Sequence, residues 1–218
     1  MNSERTTTVQ TRHPPLLTIV AAWILLGILI AFFQRPIWDA IWVLALGVWP
    51  LYALAGVALL VVAALRARAG ARDARAAIAL ILLAGIGLWF GEARIAWIGD
   101  EWVFKLHFAR MRAEYERIVA EVQRQPAGDT TSEGALHGVR YQIDRGPPMR
   151  VAFLQPGGML DNWEGVVYDP TGAVASATGW QQGVAGRFSA PPNVRVLFGG
   201  DLVGCERIEN AFYRCWFT

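Results

Sequence analysis

Three stretches of nearly unbroken apolar sequence fill the first hundred positions. Leu16 to Phe33 (LLTIVAAWILLGILIAFF) runs 18 residues without a charge, Ala40 to Leu65 runs 26, and Ala76 to Gly91 runs 16. The third extends to Ile98 if Glu92 and Arg94 sit near a headgroup layer. A helix of about 20 residues crosses a hydrocarbon slab roughly 30 Å thick. The pattern therefore predicts three transmembrane helices within residues 16–98, after a leader over 1–15. The second run exceeds the need, so it should tilt or bend at Pro50. A buried hairpin of soluble helices is the rival reading, but three such runs exceed any core these lengths could enclose. The first run is also too long for a cleavable signal, and FFQRPIWD after it has no small-x-small site.

The period changes beyond Ile98. Gly99 reads as the end of the third apolar helix and Asp100 as the N-cap of a new one. In DEWVFKLHFARMRAEYERIVAEVQRQ, residues Phe104, Phe108, Met111, Tyr115, Ile118 and Val122 step by four and three. That stripe predicts an amphipathic helix over 99–125, packed on a sheet, paired with a second copy or lying on a membrane. A polar linker is expected over 126–138. Short strands with turn punctuation follow over 139–218. They are expected at 139–144, 150–155, 164–168, 173–178, 194–198, 202–208 and 211–217. Asp169-Pro170-Thr171-Gly172 suits a type I turn, so VVYDPTGAVAS is read as a hairpin. The fold class expected is a three-helix membrane anchor plus an α+β domain outside the cytoplasm.

Charge sets the direction. The segment between the second and third runs, LRARAGARDARA, holds Arg66, Arg68, Arg72 and Arg75 against one acid. Arginine-rich loops stay on the cytoplasmic side. The leader and this loop should face inward, and everything after Ile98 outward. Trp38, Trp42, Trp97 and Trp102 would mark the outer boundary as an aromatic belt. From residue 100 onward there are 12 basic and 14 acidic side chains, which disfavours nucleic-acid binding. Nineteen of the 20 basic residues are arginine; with abundant Ala this suggests a GC-rich coding bias and a bacterial inner membrane.

Two cysteines complete the frame. Cys205 and Cys215 both fall in the outer part, and a turn centred on Asn210 would place them opposite each other. A disulfide in an oxidising compartment, the periplasm, is expected.

Motifs for catalysis are missing: there is no GxxxxGK[ST], GxSxG, HExxH or GxGxxG. Of the three histidines, His13 is in the leader, His107 beside the apolar stripe and His137 in the linker, which makes a zinc or triad site improbable. Asp161, Glu164 and Asp169 around Trp163 read as turn acids. No cofactor or metal is expected. Asp39, Glu92 and Arg94 are ionisable groups expected at one depth near the outer boundary. An Asp39–Arg94 pair competes there with snorkelling into headgroups. Trp180, Gln181, Gln182, Arg187 and Phe188 lie in the Gly/Pro-rich stretch Gly179 to Asn193 and are candidates for a partner surface. The functional expectation is an inner-membrane protein presenting a disulfide-bonded periplasmic domain for protein binding, as an accessory subunit or an immunity-type binder. The alternative is a membrane enzyme acting on lipid headgroups or cell-wall precursors. A transporter subunit is a third reading and would require oligomerisation.

Overall fold

The structure is a computed structural model of the whole chain, and it describes residues 15–125, 133–155, 162–179 and 189–218. Two compact units divide at residue 103, and each is taken by itself.

The first unit is helical. Helix α1 spans Leu16–Phe32 and α2 spans Gln34–Ile41. A 3-10 turn over Trp42–Gly47 leads into α3, Val48–Arg68, and α4 spans Arg72–Arg124. Among the described residues two helices are long and apolar enough to cross a membrane, Leu44–Arg68 and Arg72–Arg124; Leu16–Phe32 is a shorter apolar helix. The helix count thus differs from the three equivalent spans expected. The second apolar run is not one rod. Pro50 falls in the first turn of α3, where its missing N–H costs nothing, so the chain enters the helix there instead of kinking. The arginine segment is tighter than a loop. Gly70, at φ 85°, reverses the chain between α3 and α4, and Ala71 N donates to Arg66 O at 3.0 Å. Arg66 and Arg68 therefore occupy the last turn of α3, while Arg72 and Arg75 begin α4.

Helices α1 and α3 interlock through aromatics and glycines. Trp23 and Tyr52 stack with ring centroids 4.7 Å apart. Trp23 Nε1 donates to Tyr52 O at 3.3 Å, and Tyr52 Oη donates to Trp23 O at 3.1 Å. Each ring lies where the other helix has no side chain: Trp23 against Gly56, and Tyr52 against Gly27. Gly99 has the same role between α1 and α4. The Phe32 carbonyl stands where a Cβ on Gly99 would be. The expected break at Gly99–Asp100 is therefore absent, and α4 is continuous. A single interior glycine costs only about 1 kcal/mol of helix propensity, and here close packing requires it. Asp100 is not an N-cap either; Arg35 Nη1 donates to its Oδ1 at 3.0 Å.

The second unit is an α+β layer built on the rest of α4. A curled antiparallel sheet holds β1 (Glu133–Leu136), β2 (Val139–Asp144), β3 (Arg150–Leu154), β4 (Trp163–Tyr168), β5 (Val196–Leu197), β6 (Gly200–Glu209) and β7 (Phe212–Phe217). Among the described residues their order is β1-β2-β3-β4-β7-β6-β5. Strand alternation sorts the side chains. Tyr141, Ile143, Val151, Phe153, Val166 and Phe212 face α4 and meet Phe104, Phe108, Tyr115, Ile118 and Val122 of its apolar stripe. Ala152, Val167, Tyr213, Cys215 and Phe217 face the other way and pack with Val174, Ala190, Val194 and Leu202. On the α4 side, Arg214 and Glu164 form a buried ion pair, with the guanidinium over the rings of Phe104 and Trp216 at 4.3 and 5.2 Å.

Turn chemistry sets the hairpins. His137 and Gly138 both take positive φ, 51° and 82°, between β1 and β2; Phe198 and Gly199 do so between β5 and β6, at 53° and 78°. Positive φ at both central positions matches strand twist. Asn210, at φ 49°, turns β6 into β7. Cys205 and Cys215 are register partners there, and their sulfurs meet at disulfide distance.

Several expected strands are corrected. Ala173–Ser176 is a 3-10 turn, not a strand, so VVYDPTGAVAS is not a hairpin. The Asp169–Gly172 turn does form. The Asp169 carboxylate then accepts from the Thr171 and Val174 amides, both at 3.0 Å, and winds the chain into a capped turn. The neighbour of β4 is instead β7. The strand expected at 194–198 shortens to Val196–Leu197, because Val194 N closes a turn onto Pro191 O. The expected linker over 126–138 contains β1; its residues 126–132 lie outside the described residues.

Candidate functional site

The outward face of β2 and β3 carries the polar residues that alternation withholds from the core. Gln142 and Asp144 stand there, and Arg150 is the register partner of Asp144. The curl of the sheet brings Asn193 and the β5–β6 turn, Leu197 to Gly199, over the same face. Between them is a cleft of about 630 Å³, with Glu133 on the β1 side.

Arg150 organises its floor. The side chain is only 4% exposed. Its Nη1 donates to Asp144 Oδ2 at 3.2 Å, and its Nε lies 3.5 Å from Asp169 Oδ1. Asp169 is fully buried. Burial alone would raise its pKa, but hydrogen bonds from the Thr171 hydroxyl and the Val174 and Thr171 amides, with the Arg150 charge, hold it below the usual carboxylate range. Asp144 Oδ1 also accepts from Gly146 N at 3.1 Å. Gln142 Nε2 donates to Glu133 Oε1 at 3.1 Å, which fixes the amide's orientation. Its buried Oε1 has no hydrogen-bond partner among the described residues, and neither has Arg150 Nε. The cleft therefore leaves one buried acceptor and one buried donor unpaired. The Glu133 and Asp144 carboxylates line the cleft with Arg150, whose guanidinium is shared by Asp144 and Asp169.

The acids around Trp163 serve separate purposes. Glu164 holds Arg214 on the α4 face and Asp169 caps its turn, while Asp161 lies outside the described residues. His107 Nε2 is 3.4 Å from Tyr115 Oη, and His137 Nδ1 hydrogen-bonds Glu114. Burial pushes the Tyr115 phenol up to about 12. Among the described residues no group of three His, Cys, Asp or Glu side chains could hold a metal ion.

The proposed partner surface, Trp180, Gln181, Gln182, Arg187 and Phe188, lies outside the described residues. So does the side chain of Asp39, and with it the expected Asp39–Arg94 pair. The ion pair shown at that end of the helices is Arg35–Asp100. The Gln142–Arg150 floor escaped sequence reading. Its one available signal was polar residues alternating with Tyr141, Ile143, Val151 and Phe153 in strands with apolar neighbours.

No protein-family model, curated protein or solved structure matches the chain. Fold and geometry alone carry the functional reading.

Proposed function

We propose that the chain is an integral membrane protein whose helical unit crosses the bilayer three times and whose sheet unit binds a partner protein on the outer side. The observation that carries this reading is the partition of exposed apolar surface. Among the described residues every large exposed hydrophobic side chain but Leu106 and Val196 belongs to the first unit. Leu44, Leu51, Leu54, Leu83, Trp89 and Phe90 are each more than half exposed. Water disfavours such a surface and hydrocarbon favours it. Helix α1, at 17 residues, spans about 25 Å and reaches the lower limit for a crossing. The arginines at the α3–α4 turn support an inward placement of that turn, and hence an outward, periplasmic sheet unit with an oxidised Cys205–Cys215 bridge.

The unpartnered Gln142 Oε1, with the Glu133 and Asp144 carboxylates lining the Arg150 cleft, favours a ligand that brings N–H donors. A Lys or Arg side chain of a partner protein has that chemistry. Two measurements test the reading. Alkaline phosphatase fused after Thr218 should be active in a bacterial host, and an inactive, well-expressed fusion refutes the orientation. The purified full chain in detergent should bind an oligo-arginine peptide over an oligo-glutamate peptide, and Glu133→Lys should weaken the preference. Equal binding of both peptides refutes the role of the cleft.

A further inference from the structure

Glu92 and Arg94 are charged groups on an apolar stretch of helix, and neither has an ion-pair or hydrogen-bond partner among the described residues. Contacts within the helical unit fix their level. Leu88 meets Gly27 and Gly99 meets Phe32, so residues 92 and 94 lie between those heights, alongside the uncharged α1. They cannot satisfy each other. Two residues along an α-helix turn about 200° and rise about 3 Å, so the two side chains leave α4 on nearly opposite sides.

Each side has its own shape. Glu92 lies in a groove of about 760 Å³, which Trp49, Gly56 and Leu60 of α3 line with Gly85 and Trp89 of α4. Gly85, with nothing within 4 Å of where its Cβ would stand, leaves the groove open on the α4 side. Arg94 stands on a ridge with Leu83, Phe90 and Trp97, which are 67%, 81% and 61% exposed. Their spacing of seven keeps them on one face of α4.

We infer that copies of this chain associate side by side in the membrane, the Leu83–Phe90–Trp97 ridge of one seated in the groove of the next, with Arg94 paired to Glu92 across the contact. The inference rests on the membrane reading above. Copies inserted in one direction share a depth, so the charges meet within about 3 Å of the same level. Charges at such depth face partners as a rule, and here ridge and groove carry opposite signs. The two surfaces differ, so the contact is heterologous and builds a ring or a row instead of a closed two-fold pair.

The test uses the full chain, labelled with donor and acceptor dyes and reconstituted in phosphatidylcholine vesicles, which offer no primary ammonium headgroup. Energy transfer should report association in the unaltered protein. Glu92→Gln and Arg94→Gln should each weaken association about tenfold. Glu92→Arg alone should abolish it, and E92R combined with R94E should restore it to within about twofold. A native-like near-ultraviolet circular dichroism spectrum in every variant excludes misfolding. Absence of transfer in the unaltered protein overturns the inference, as does a double swap no better than the singles. Association that requires phosphatidylethanolamine and ignores the swap also overturns it, in favour of a lipid ammonium at Glu92. Removal of the chain from membranes by alkaline carbonate refutes the membrane reading itself, whereas a monomer that stays in the membrane refutes the lateral contact alone.

Discussion

Replacing Arg150 with Met tests the account of the cleft floor. The change keeps most of the aliphatic stem and removes the guanidinium. In the native protein that group lies 3.2 Å from Asp144 and 3.5 Å from Asp169. At an effective dielectric of about 20, each attraction is roughly 5 kcal/mol before desolvation is counted. Desolvation of the buried cation offsets much of that, so deletion costs far less than the sum. What remains is Asp169, fully buried, with its hydrogen bonds but without its counter-charge. Breaking a buried pair in this way costs about 3–5 kcal/mol. Asp144 is 29% exposed and can turn to water, which places the expected loss near 3 kcal/mol, the lower end of that range. The sign of the pH dependence follows. Asp169 has a depressed pKa in the folded state, so its contribution is complete above the unfolded value of about 4 and fades as pH falls through the folded value. Protonated Asp169 no longer needs Arg150, so the penalty should shrink as the pH falls toward the depressed folded value of Asp169. The assay is denaturant unfolding of the full chain in detergent, followed by near-ultraviolet circular dichroism at pH 7 and pH 3, variant against native. A loss under 1 kcal/mol at pH 7, or a loss of equal size at both pH values, would refute the reasoning.

Two further outcomes are expected. Reducing the Cys205–Cys215 bridge, or replacing both residues with Ser, opens a loop with a sequence separation of 10; this should cost about 3 kcal/mol and lower the thermal midpoint of the sheet unit. Gly56→Leu should drive Trp23 from its place and remove its stacking on Tyr52, visible as a loss of tryptophan near-ultraviolet signal and faster proteolysis in detergent. A native-like signal would show that the glycine is not needed there.

Much of this architecture is legible in the sequence because it rests on local repeats. The Phe104–Val122 stripe declares a helix with one buried side, and the Tyr141–Ile143 and Val151–Phe153 alternations declare strands. The Cys205–Cys215 pairing follows from a tight turn at Asn210. Misreadings arose where a residue type has two physical uses. Gly99 has the composition of a helix stop but provides space for the Phe32 backbone. Asp169 has the composition of a hairpin turn, and forms one, yet its buried carboxylate then captures the amide of Val174. Neither outcome is visible until a distant segment arrives. Even the Cys205–Cys215 register depends on an irregularity in β6, between Arg207 and Glu209. The Arg150 floor is the least legible part. It depends on Asp144, Asp169 and the β5–β6 turn converging from three separate places along the chain.

The Trp23–Tyr52 exchange bears on how the chain is assembled. Each ring needs a gap that only the other helix supplies, so half of the arrangement has no value. If the protein threads into lipid in order of synthesis, its opening helix waits, barely long enough to stay, until the descending one clasps it. Damage to Gly27 or Gly56 would then act at birth, lowering how much protein accumulates and leaving what does accumulate loosely clasped.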